Sequence, residues 1–503
     1  MIDHLVLRRS LLSACAVLLT GCAQLSPVAT DARTAKSVFD GGGYPVAVCN
    51  ADYSGRSASC TVSGSGPNRI VRANVISNGI LYVGGALLIG GDGRIQAAGC
   101  EVPAAPAITF DCPGALASAG FMNLHEHIDY SYQQPPRPPA LKWEHRHEWR
   151  KLSDEERGFA GNAPKDEQVR AEVSERAMLR HALSGSTAVS GAKTYRAFLR
   201  NLGLEDGGPL AMPLGRRVVD DTFPLNDGGS KEWPKAPCDA AQIAGIKLRA
   251  LPEHPYVPHV GEGTNDGARH EVDCMLDAVR AKATPNAFIH GVAITDAQIA
   301  RLKEQRVAVV LSPRSNFQLY GKTAPLAKLK QAGVTLAMGT DWSPSGSLTQ
   351  LDEMRCLARH NRDRLQGLFS WADLHRMMTE NGAQAVGLQG QVGALAVGEL
   401  ADLVLLDTGG RRSLGEVLER SALAETVAVF VGGRAASFPR AWEGKLAQLE
   451  NCSPDPRDLC GQQRTVCGVN PARGLDRLLG QAAYTIDDAR ICRPQPTDDC
   501  VER

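Results

Sequence analysis

Strand-like and helix-like segments alternate over about 260 of the 503 residues, and this alternation predicts an α/β fold made of parallel βαβ units. A closed (β/α)8 barrel of the TIM type is the usual form at this length. A doubly wound open sheet is the competing fold, but the glycine-rich first turn that normally carries its site is absent from the sequence. Short β-rich runs before and after the alternating region predict a small composite β-sandwich domain beside the barrel.

The chain divides into successive predicted parts. A stretch rich in Gly, Ser, Ala and Pro gives way to β-rich texture near residue 69, and β character returns near residue 390. The parts are a signal peptide (1–21), a tether with a cystine-held segment (22–68), the composite β-domain (69–118 and 385–440), the barrel (119–384) and a cysteine-rich tail (441–503).

Local signals define the elements of both domains. A tight turn at Gly91-Asp92-Gly93 predicts a hairpin, a capping box at Thr295 predicts a helix start, and Gly333 predicts a helix end. The predicted β-domain strands are 70–76, 80–83, 86–89, 95–99, a strand ending at Asp407, and a strand-turn-strand over 426–434. The predicted barrel elements are strands 186–190, 287–290, 307–311 and 334–338 and helices 167–183, 295–302 and 325–331.

The first residues resemble a bacterial lipoprotein signal. Arg8 and Arg9 form a positive start, and residues 11–20 are an apolar run too short to span a bilayer. The run ends in Leu19-Thr20-Gly21-Cys22, and in lipoproteins such a cysteine is lipidated; an ordinary cleaved signal is the alternative. Because Ala23 follows Cys22, the resemblance implies export and a lipid anchor at the periplasmic face of the outer membrane. It leaves open whether export is of the Sec or the twin-arginine type.

The fourteen cysteines agree with export to an oxidising compartment, where closely spaced cysteines usually pair. The tail cysteines predict a cross-linked C-terminal segment. The pairs that we predict elsewhere are Cys49–Cys60, Cys100–Cys112 and Cys238–Cys274.

Histidines and one aspartate mark a candidate metal site. His125 and His127 are two residues apart on a predicted strand and therefore share a face. His259, His290 and Asp341 each come near the end of a later predicted strand, and in a barrel these ends meet at one face. The imidazoles of His125, His127 and His259 with the carboxylate of Asp341 suit one Zn²⁺, or less often Fe²⁺, with a position left for water.

Six motifs, in the same order along the chain, resemble those of the metal-dependent amidohydrolase superfamily, in its mononuclear, deaminase/chlorohydrolase-like branch. The motifs are residues 120–127, 259–263, 290–292, 312–316, 339–341 and 398–403. Members of that branch act on guanine, cytosine, S-adenosylhomocysteine and triazines. The resemblance implies a metal that lowers the pKa of water, with Glu262 shuttling a proton to the leaving nitrogen. It further implies that His290 hydrogen-bonds the attacking oxygen or polarises the electrophile, and that Asp341 also accepts the water proton.

Residues beside these motifs are the candidate substrate contacts. They are Tyr130, Trp143, His147, Arg314, Asn316 and Trp342. His145 and His147 fall in the long loop after the first barrel strand, where a solvated lid is the alternative, and His181 falls in a helical pattern that indicates a structural role. A binuclear site would need a bridging lysine, but neither Lys193 nor Lys247 lies in a matching motif, which favours one metal ion.

These observations predict an amidohydrolase-type enzyme that hydrolyses a non-peptide C–N bond of a small, heterocyclic substrate, by deamination or by opening a cyclic amide. One alternative is a binuclear peptidase or lactonase, and another is a non-catalytic lipoprotein binding module on a degenerate barrel. Lys plus Arg and Asp plus Glu number 55 each, so bulk charge does not indicate a nucleic-acid partner. The substrate's identity and a homo-oligomeric state are left open by the sequence.

Overall fold

The computed structural model describes residues 35, 37–131, 142–150, 152, 166–192, 199–206, 214–225, 238, 240–250, 252–279, 284–446, 452–467 and 489–502. The predicted signal peptide, Cys22 and Lys193 lie outside these residues. In the described part of the chain, no helix combines the length and the apolar character that crossing a bilayer requires.

Strands and helices are numbered along the chain. The strands are β1 (Val46–Val48), β2 (Thr61–Gly64), β3 (Asn68–Ser77), β4 (Ile80–Ile89), β5 (Ile95–Gly99), β6 (Ala107–Ala119), β7 (Phe121–Asn123), β8 (Ser186–Val189), β9 (Arg200–Asn201), β10 (Val219–Asp221), β11 (Tyr256–Val260), β12 (Asn286–His290), β13 (Val307–Leu311), β14 (Leu336–Met338), β15 (Leu403–Asp407), β16 (Thr426–Val431), β17 (Arg434–Pro439), β18 (Pro454–Leu459) and β19 (Gln462–Cys467). The α-helices are α1 (Arg146–Arg150), α2 (Glu167–Leu183), α3 (Ala240–Arg249), α4 (Asp266–Val279), α5 (Asp296–Glu304), α6 (Pro313–Tyr320), α7 (Leu326–Ala332), α8 (Gln350–Arg364), α9 (Trp371–Met378), α10 (Glu380–Ala385), α11 (Leu414–Arg420) and α12 (Glu443–Leu446).

One mixed sheet of eleven strands unites segments from both ends of the chain. Its order is β1-β4-β3-β6-β15-β16-β17-β19-β18, with β2 beside β6 and β5 beside β4. The antiparallel pairing of β6 with β15 joins the segment before the barrel region to the segment after it. The described strands form one continuous sheet, so the predicted sandwich of two packed sheets is not confirmed.

This sheet extends beyond the residues predicted for the β-domain. Strands β1 and β2 come from the segment predicted to be a tether, and the hairpin β18–β19 comes from the tail and pairs with β17. Strand β18 has no sequence signature of a strand because it contains two prolines and three charged residues. It lies at an edge of the sheet, where proline and charge are tolerated.

The barrel region has eight parallel strands in two hydrogen-bonded sheets, β7-β8-β9 and β10-β11-β12-β13-β14, within the residues described. Backbone hydrogen bonds outside any ladder bridge the two seams. The N–H of Leu124 donates to the carbonyl of Met338 at 3.3 Å, the N–H of Asp341 donates to the carbonyl of His125 at 2.9 Å, and that of Val218 donates to the carbonyl of Leu202 at 2.6 Å. The predicted closed barrel is therefore not confirmed as one continuous ladder, because no described strand pairing joins β14 to β7 or β9 to β10.

The helices pack against this parallel layer, whose central strands β11, β12 and β13 are fully buried. All five residues of β12 and of β13 are buried. Helix α5 begins with the capping box of Thr295 and Gln298, and α7 ends at Gly333, which adopts a left-handed conformation with φ of 68°. Leu302 of α5 and Leu329 of α7 belong to the same apolar cluster as the strands that they cover. The two helix-boundary predictions are thus confirmed.

Six disulfides cross-link the described residues. They are Cys49–Cys100, Cys60–Cys112, Cys238–Cys274, Cys356–Cys500, Cys452–Cys467 and Cys460–Cys492. The predicted pair Cys238–Cys274 is present, but the predicted pairs Cys49–Cys60 and Cys100–Cys112 are wrong. Strand pairing explains the difference, because β1 and β5 both lie beside β4, and β2 lies beside β6. Cysteines close in sequence are therefore less close in space than cysteines on neighbouring strands.

Candidate metal centre and active site

The two halves of the candidate site meet along a short parallel backbone contact. The N–H of Asp341 donates to the carbonyl of His125 at 2.9 Å, and Glu126 and Asp341 form a parallel bridge. Gly339 permits this approach, since a Cβ at that position would lie 2.3 Å from the Cβ of His125. Asp341 and His290 adopt left-handed φ values of 59° and 69°, which non-glycine residues rarely hold outside functional sites.

Three imidazole nitrogens converge on one point. The Nε2 atoms of His125 and His259 are 3.0 Å apart, those of His127 and His259 are 3.0 Å apart, and those of His125 and His127 are 3.2 Å apart. Oδ1 of Asp341 lies 3.3 Å from Nε2 of His125 and 3.5 Å from Nε2 of His127. The structure therefore brings together all four residues predicted to bind metal.

The hydrogen bonds behind these histidines fix which nitrogen faces the centre. The Ser312 hydroxyl donates to the carbonyl of Gly339 at 2.9 Å, so at 2.8 Å it accepts from Nδ1–H of His125. Nδ1 of His259 lies 3.4 Å from the backbone carbonyl of Asp221, which can only accept. Both Nε2 atoms consequently present lone pairs to each other. Lone pairs 3.0 Å apart repel unless a cation lies between them, which is the arrangement that a metal ion requires.

The protonation state agrees with metal binding. Burial and the neighbouring imidazoles lower the pKa of His125 and of His259 well below the usual value, so both rings are neutral. Neutral imidazole is the form that binds divalent metals, and nitrogen ligands about 2.0–2.1 Å from one zinc ion necessarily lie within about 4 Å of each other. The donor set and its spacing fit a divalent cation.

Glu262 and His290 lie beside this cluster. Nε2 of His290 is 3.8 Å from Oε1 of Glu262 and 4.0 Å from Oδ2 of Asp341. Nδ1–H of His290 donates to Oδ1 of Asn316 at 2.9 Å, and the amide of Asn316 donates in turn to Thr323, which orients the amide. Burial raises the pKa of Glu262, although His290 and Arg146 oppose this shift.

Helix α1 covers one side of the site. Arg146 makes a fully buried, two-pronged ion pair with Glu271 at 2.5 and 2.6 Å, and Glu271 also accepts the N–H of Gly261 at 2.8 Å. The N–H of Trp143 donates to the carbonyl of Leu319 at 2.8 Å. These contacts join α1 to the residues that follow β11 and to α6.

A cavity of about 310 Å³ opens onto the cluster. Its lining combines the histidines and carboxylates of the cluster with aromatic rings and one arginine. The lining residues are His127, Tyr130, Trp149, Arg150, Thr222, Phe223, His259, Glu262, His290, Asp341 and Trp342. All three predicted catalytic residues (Glu262, His290 and Asp341) therefore face one enclosed space.

Comparison with known proteins assigns a family to part of the chain. Residues 256–436 match the model of the amidohydrolase family. A 5-methylthioadenosine/S-adenosylhomocysteine deaminase of Syntrophobacter fumaroxidans is 39% identical over 121 residues, which are 24% of this chain and 28% of the relative. The chain thus aligns with less than a third of that curated relative's length.

A longer alignment and a solved structure extend the likeness beyond the matched domain. A deaminase of the same name from Teredinibacter turnerae is 26% identical over 340 residues, covering 59% of this chain and 72% of the relative. The crystal structure of an atrazine chlorohydrolase from Arthrobacter aurescens TC1, complexed with zinc, gives a TM-score of 0.55 at 18% identity and covers 73% of this chain and 95% of that chain. At that identity the likeness shows the fold alone.

Only two of the six candidate substrate contacts line the cavity beside the metal cluster. Tyr130 and Trp342 do so, with ring centroids 5.4 Å apart. Trp143 packs behind the wall on Trp149 and Trp342, and His147 is buried in α1 with its Nδ1 3.1 Å from Arg150. Neither residue lines the cavity, and their contact with substrate stays a prediction.

Arg314 and Asn316 were also predicted to contact substrate, and neither lines the cavity. Arg314 is buried and pairs with Asp499 of the tail at 2.5 Å, a partner 185 positions away in sequence. Asn316 is buried behind His290 and orients that ring. Arg314 is therefore held by the tail, and Asn316 acts on the site through another residue.

Sequence reasoning missed four residues of the cavity wall. Thr222 and Phe223 directly follow β10, a strand of only three residues that has no motif. Trp149 and Arg150 end α1, and the Arg150 guanidinium carbon lies 3.6 Å from the centre of the Phe223 ring. The aromatic character of residues 143–149 was a usable signal for Trp149, whereas nothing in the sequence marks Phe223.

The remaining histidine and lysine predictions concern residues outside the cavity. Nε2 of His181, on α2, lies 3.0 Å from Oε2 of Glu126, and both side chains are buried. Glu126, which lies between His125 and His127, therefore points away from the cluster, and His181 holds the Glu126 side chain in place. Lys247 is exposed on α3 and does not approach the site.

A second cavity, of about 500 Å³, lies at the opposite, amino-terminal ends of the parallel strands. Pro285, Val307 and Val334 belong to its lining, together with the exposed cations Lys303 and Arg306. Its described lining contains no histidine, cysteine or carboxylate. Among the described residues, the candidate catalytic groups lie on the carboxyl-terminal side, as is general for barrels of this type.

Proposed function

We propose that this chain is a metal-dependent hydrolase that cleaves a non-peptide C–N bond of a small heterocyclic substrate, by deamination or by opening a cyclic amide. The observation that carries the proposal is the convergence of three imidazoles and Asp341 beside Glu262 and His290 on one cavity. The deaminases named among the relatives support the same bond type.

His125, His127, His259 and Asp341 would hold one divalent ion, with zinc favoured over iron by the nitrogen-rich donor set and by the zinc-bound neighbour. Such an ion lowers the pKa of a bound water to about 7. A single ion is favoured over a pair, because no lysine of the sequence lies in a matching motif and Lys247 is exposed on α3. This argument disfavours the binuclear peptidase or lactonase alternative.

Glu262 is the group that moves the proton. Its carboxylate takes a proton from the attacking water and delivers it to the leaving nitrogen. Burial raises the pKa of Glu262, which makes its carboxylate a stronger base toward the water proton.

His290 hydrogen-bonds the oxygen that attacks. With Nδ1–H committed to Asn316, only Nε2 faces the reacting atoms, so the neutral ring accepts a hydrogen bond and the protonated ring donates one. A donor held there stabilises negative charge on the oxygen of a tetrahedral intermediate. Asp341 adds a second acceptor for the water proton.

The aromatic wall suits a flat substrate. The rings of Trp149 and Trp342 lie 5.2 Å apart, and Tyr130 meets Trp342 nearly edge-on. A planar heterocycle can stack on such a wall while its carbon faces the metal cluster. The small volume and the aromatic rings favour a small molecule as substrate.

We further propose that the chain is exported and anchored through Cys22 to the periplasmic face of the outer membrane. The lipoprotein-like residues 19–22 and the six disulfides support export. Metabolic labelling with a radioactive fatty acid should mark the wild-type protein, and Cys22→Ser should abolish the label and release the protein from membranes. Unlabelled wild-type protein would contradict the anchor.

The function is tested with a panel of aminated purines and pyrimidines, cyclic amides and chlorotriazines. Ammonia release or ring opening is expected from at least one member by the zinc-loaded protein. Glu262→Gln should keep its metal but lose turnover by about 100-fold or more. Glu353→Gln is the matched control, since Glu353 is equally buried but does not line the cavity. Full turnover in Glu262→Gln, or no product from the whole panel, would overturn the proposal.

A further inference from the structure

A directional chain of hydrogen bonds ends on Glu262. Nε1–H of Trp149 lies 2.9 Å from the hydroxyl oxygen of Tyr320, and that hydroxyl lies 2.7 Å from Oε1 of Glu262. An indole nitrogen can only donate, so the Tyr320 oxygen accepts from Trp149 and directs its own proton to Glu262. Burial and the Glu262 carboxylate raise the pKa of Tyr320 well above its usual value, so the phenol keeps this proton.

The two oxygens of Glu262 have different hydrogen-bond partners. Oε1 is held by Tyr320, whereas Oε2 is buried and has no hydrogen-bond partner among the described residues. A buried carboxylate oxygen without a partner is unfavourable, and Glu262 lines the cavity in which water and substrate would provide one. The geometry thus reserves one oxygen for the reacting atoms.

We propose that Tyr320 is a positioning residue that clamps one oxygen of Glu262 and leaves the other for proton transfer, and that Trp149 fixes the Tyr320 hydroxyl while forming the cavity wall. The proposal rests on the proposed function, because it takes Glu262 as the proton shuttle. It also links substrate stacking to catalysis, since the ring that would contact substrate is the same ring that orients the clamp.

Both clamp residues are themselves well anchored. Tyr320 ends α6, the helix that also carries Asn316 behind His290. Trp149 lies on α1, which the buried Arg146–Glu271 pair fastens next to Gly261. The clamp is therefore part of a rigid shell.

Three other ionisable or charged groups face Glu262. They are His290 from β12, Arg146 from α1 and Asp341 after β14. Removing the Tyr320 hydroxyl leaves all three in place, so a change in the ionisation of Glu262 can be assigned to the lost hydrogen bond. A hydroxyl that donates to a carboxylate stabilises the charged form, and its removal therefore raises the pKa of Glu262.

The test uses zinc-loaded full-length protein and the variants Tyr320→Phe and Trp149→Phe, each of which keeps an aromatic ring. Difference infrared spectroscopy follows the protonation of Glu262 against pH, with its band identified as the one missing from Glu262→Gln. The midpoint should rise by about half to one pH unit in Tyr320→Phe. Tyr44→Phe is the control, because it also loses a buried hydroxyl, 2.9 Å from Nδ1 of His375, and should leave the midpoint unchanged.

Kinetics on an active panel member complete the test. Tyr320→Phe should lower kcat about 10-fold or more with KM changed less than about threefold, and the ascending limb of its pH profile should move upward. Trp149→Phe should change kcat and the pH profile in the same direction but by less. The double variant should have a kcat no lower than that of Tyr320→Phe, because both substitutions act through one contact. An unchanged midpoint of Glu262 protonation in Tyr320→Phe would overturn the clamp. Additive losses of kcat in the double variant, with an unmoved pH profile, would also overturn it.

The infrared measurement of Glu262 protonation does not require the protein to turn over a substrate. A shifted midpoint with no product from any panel member would support the clamp and overturn the proposed function. Activity in the wild type with an unshifted midpoint in Tyr320→Phe would support the proposed function and overturn the clamp.

Discussion

The hydroxyl of Ser312 lies 2.8 Å from Nδ1 of His125 and donates its own proton to the Gly339 carbonyl at 2.9 Å. Ser312 therefore holds His125 in the tautomer whose Nε2 lone pair faces the metal cluster. Contacts of this kind behind a metal ligand typically change metal affinity 10–100-fold when removed.

Replacing Ser312 by alanine should accordingly weaken zinc binding by about 10–100-fold, measured by competition with a chelator. Ser315→Ala is the matched control on the same helix, because Ser315 hydrogen-bonds the Ser345 hydroxyl at 2.8 Å instead. Equal zinc affinities in the two variants would contradict the assigned tautomer.

His181 anchors the strand end that carries the metal-binding histidines. His181→Ala removes the 3.0 Å contact with the buried carboxylate of Glu126, which keeps its contacts with Thr340 and Asn123, and it should lower the free energy of unfolding by about 1.5–3 kcal/mol. Urea denaturation measures the change. The double variant Glu126→Gln/His181→Ala should lose less free energy of unfolding than the sum of the two single losses, because the charge of the Glu126 carboxylate is no longer present. Strict additivity would show that the pair does not act as a unit.

The C-terminal tail stabilises the barrel through one buried cation. Arg314 is 2% exposed and pairs with Asp499, whereas Asp498 is 93% exposed and reaches Arg359 only at 3.5 Å. Asp499→Ala should therefore cost about 3 kcal/mol of unfolding free energy, and Asp498→Ala less than about 0.5 kcal/mol. Similar losses in the two variants would disprove a specific role for the Arg314 contact.

Glu353 should make stability fall as pH rises. Burial raises the pKa of this carboxyl to about 8, from its ordinary value of 4.5. Between these two values the folded state holds the proton that the unfolded state has released, so stability decreases by up to about 1.4 kcal/mol per pH unit and then levels off. Glu353→Gln cannot titrate, and its stability should depend less on pH across that window. Parallel stability profiles of wild type and variant would refute this.

Helices and metal-site strands could be predicted because their signals are local. The helix predicted over residues 167–183 has those bounds in the structure, and Thr295 and Gly333 act at the helix boundaries assigned to them. His125 and His127 lie two residues apart just beyond the end of β7 rather than on the strand, and His259, His290 and Asp341 lie in or shortly after β11, β12 and β14, as the ordered motifs predict.

Long-range partners could not be predicted in the same way. Arg314 follows a motif and was interpreted as a substrate contact, yet its partner Asp499 comes from a tail without any motif. Phe223 lines the cavity only because the chain returns there after a three-residue strand. The observed disulfides Cys49–Cys100 and Cys60–Cys112 likewise depend on which strands are neighbours in the sheet.

Elemental analysis of the purified full-length protein and of His259→Ala tests the central claim most directly. One divalent ion per chain in the wild type, and essentially none in the variant, is the predicted result. Two ions per chain, or an unchanged metal content in His259→Ala, would contradict a single metal centre formed by His125, His127, His259 and Asp341.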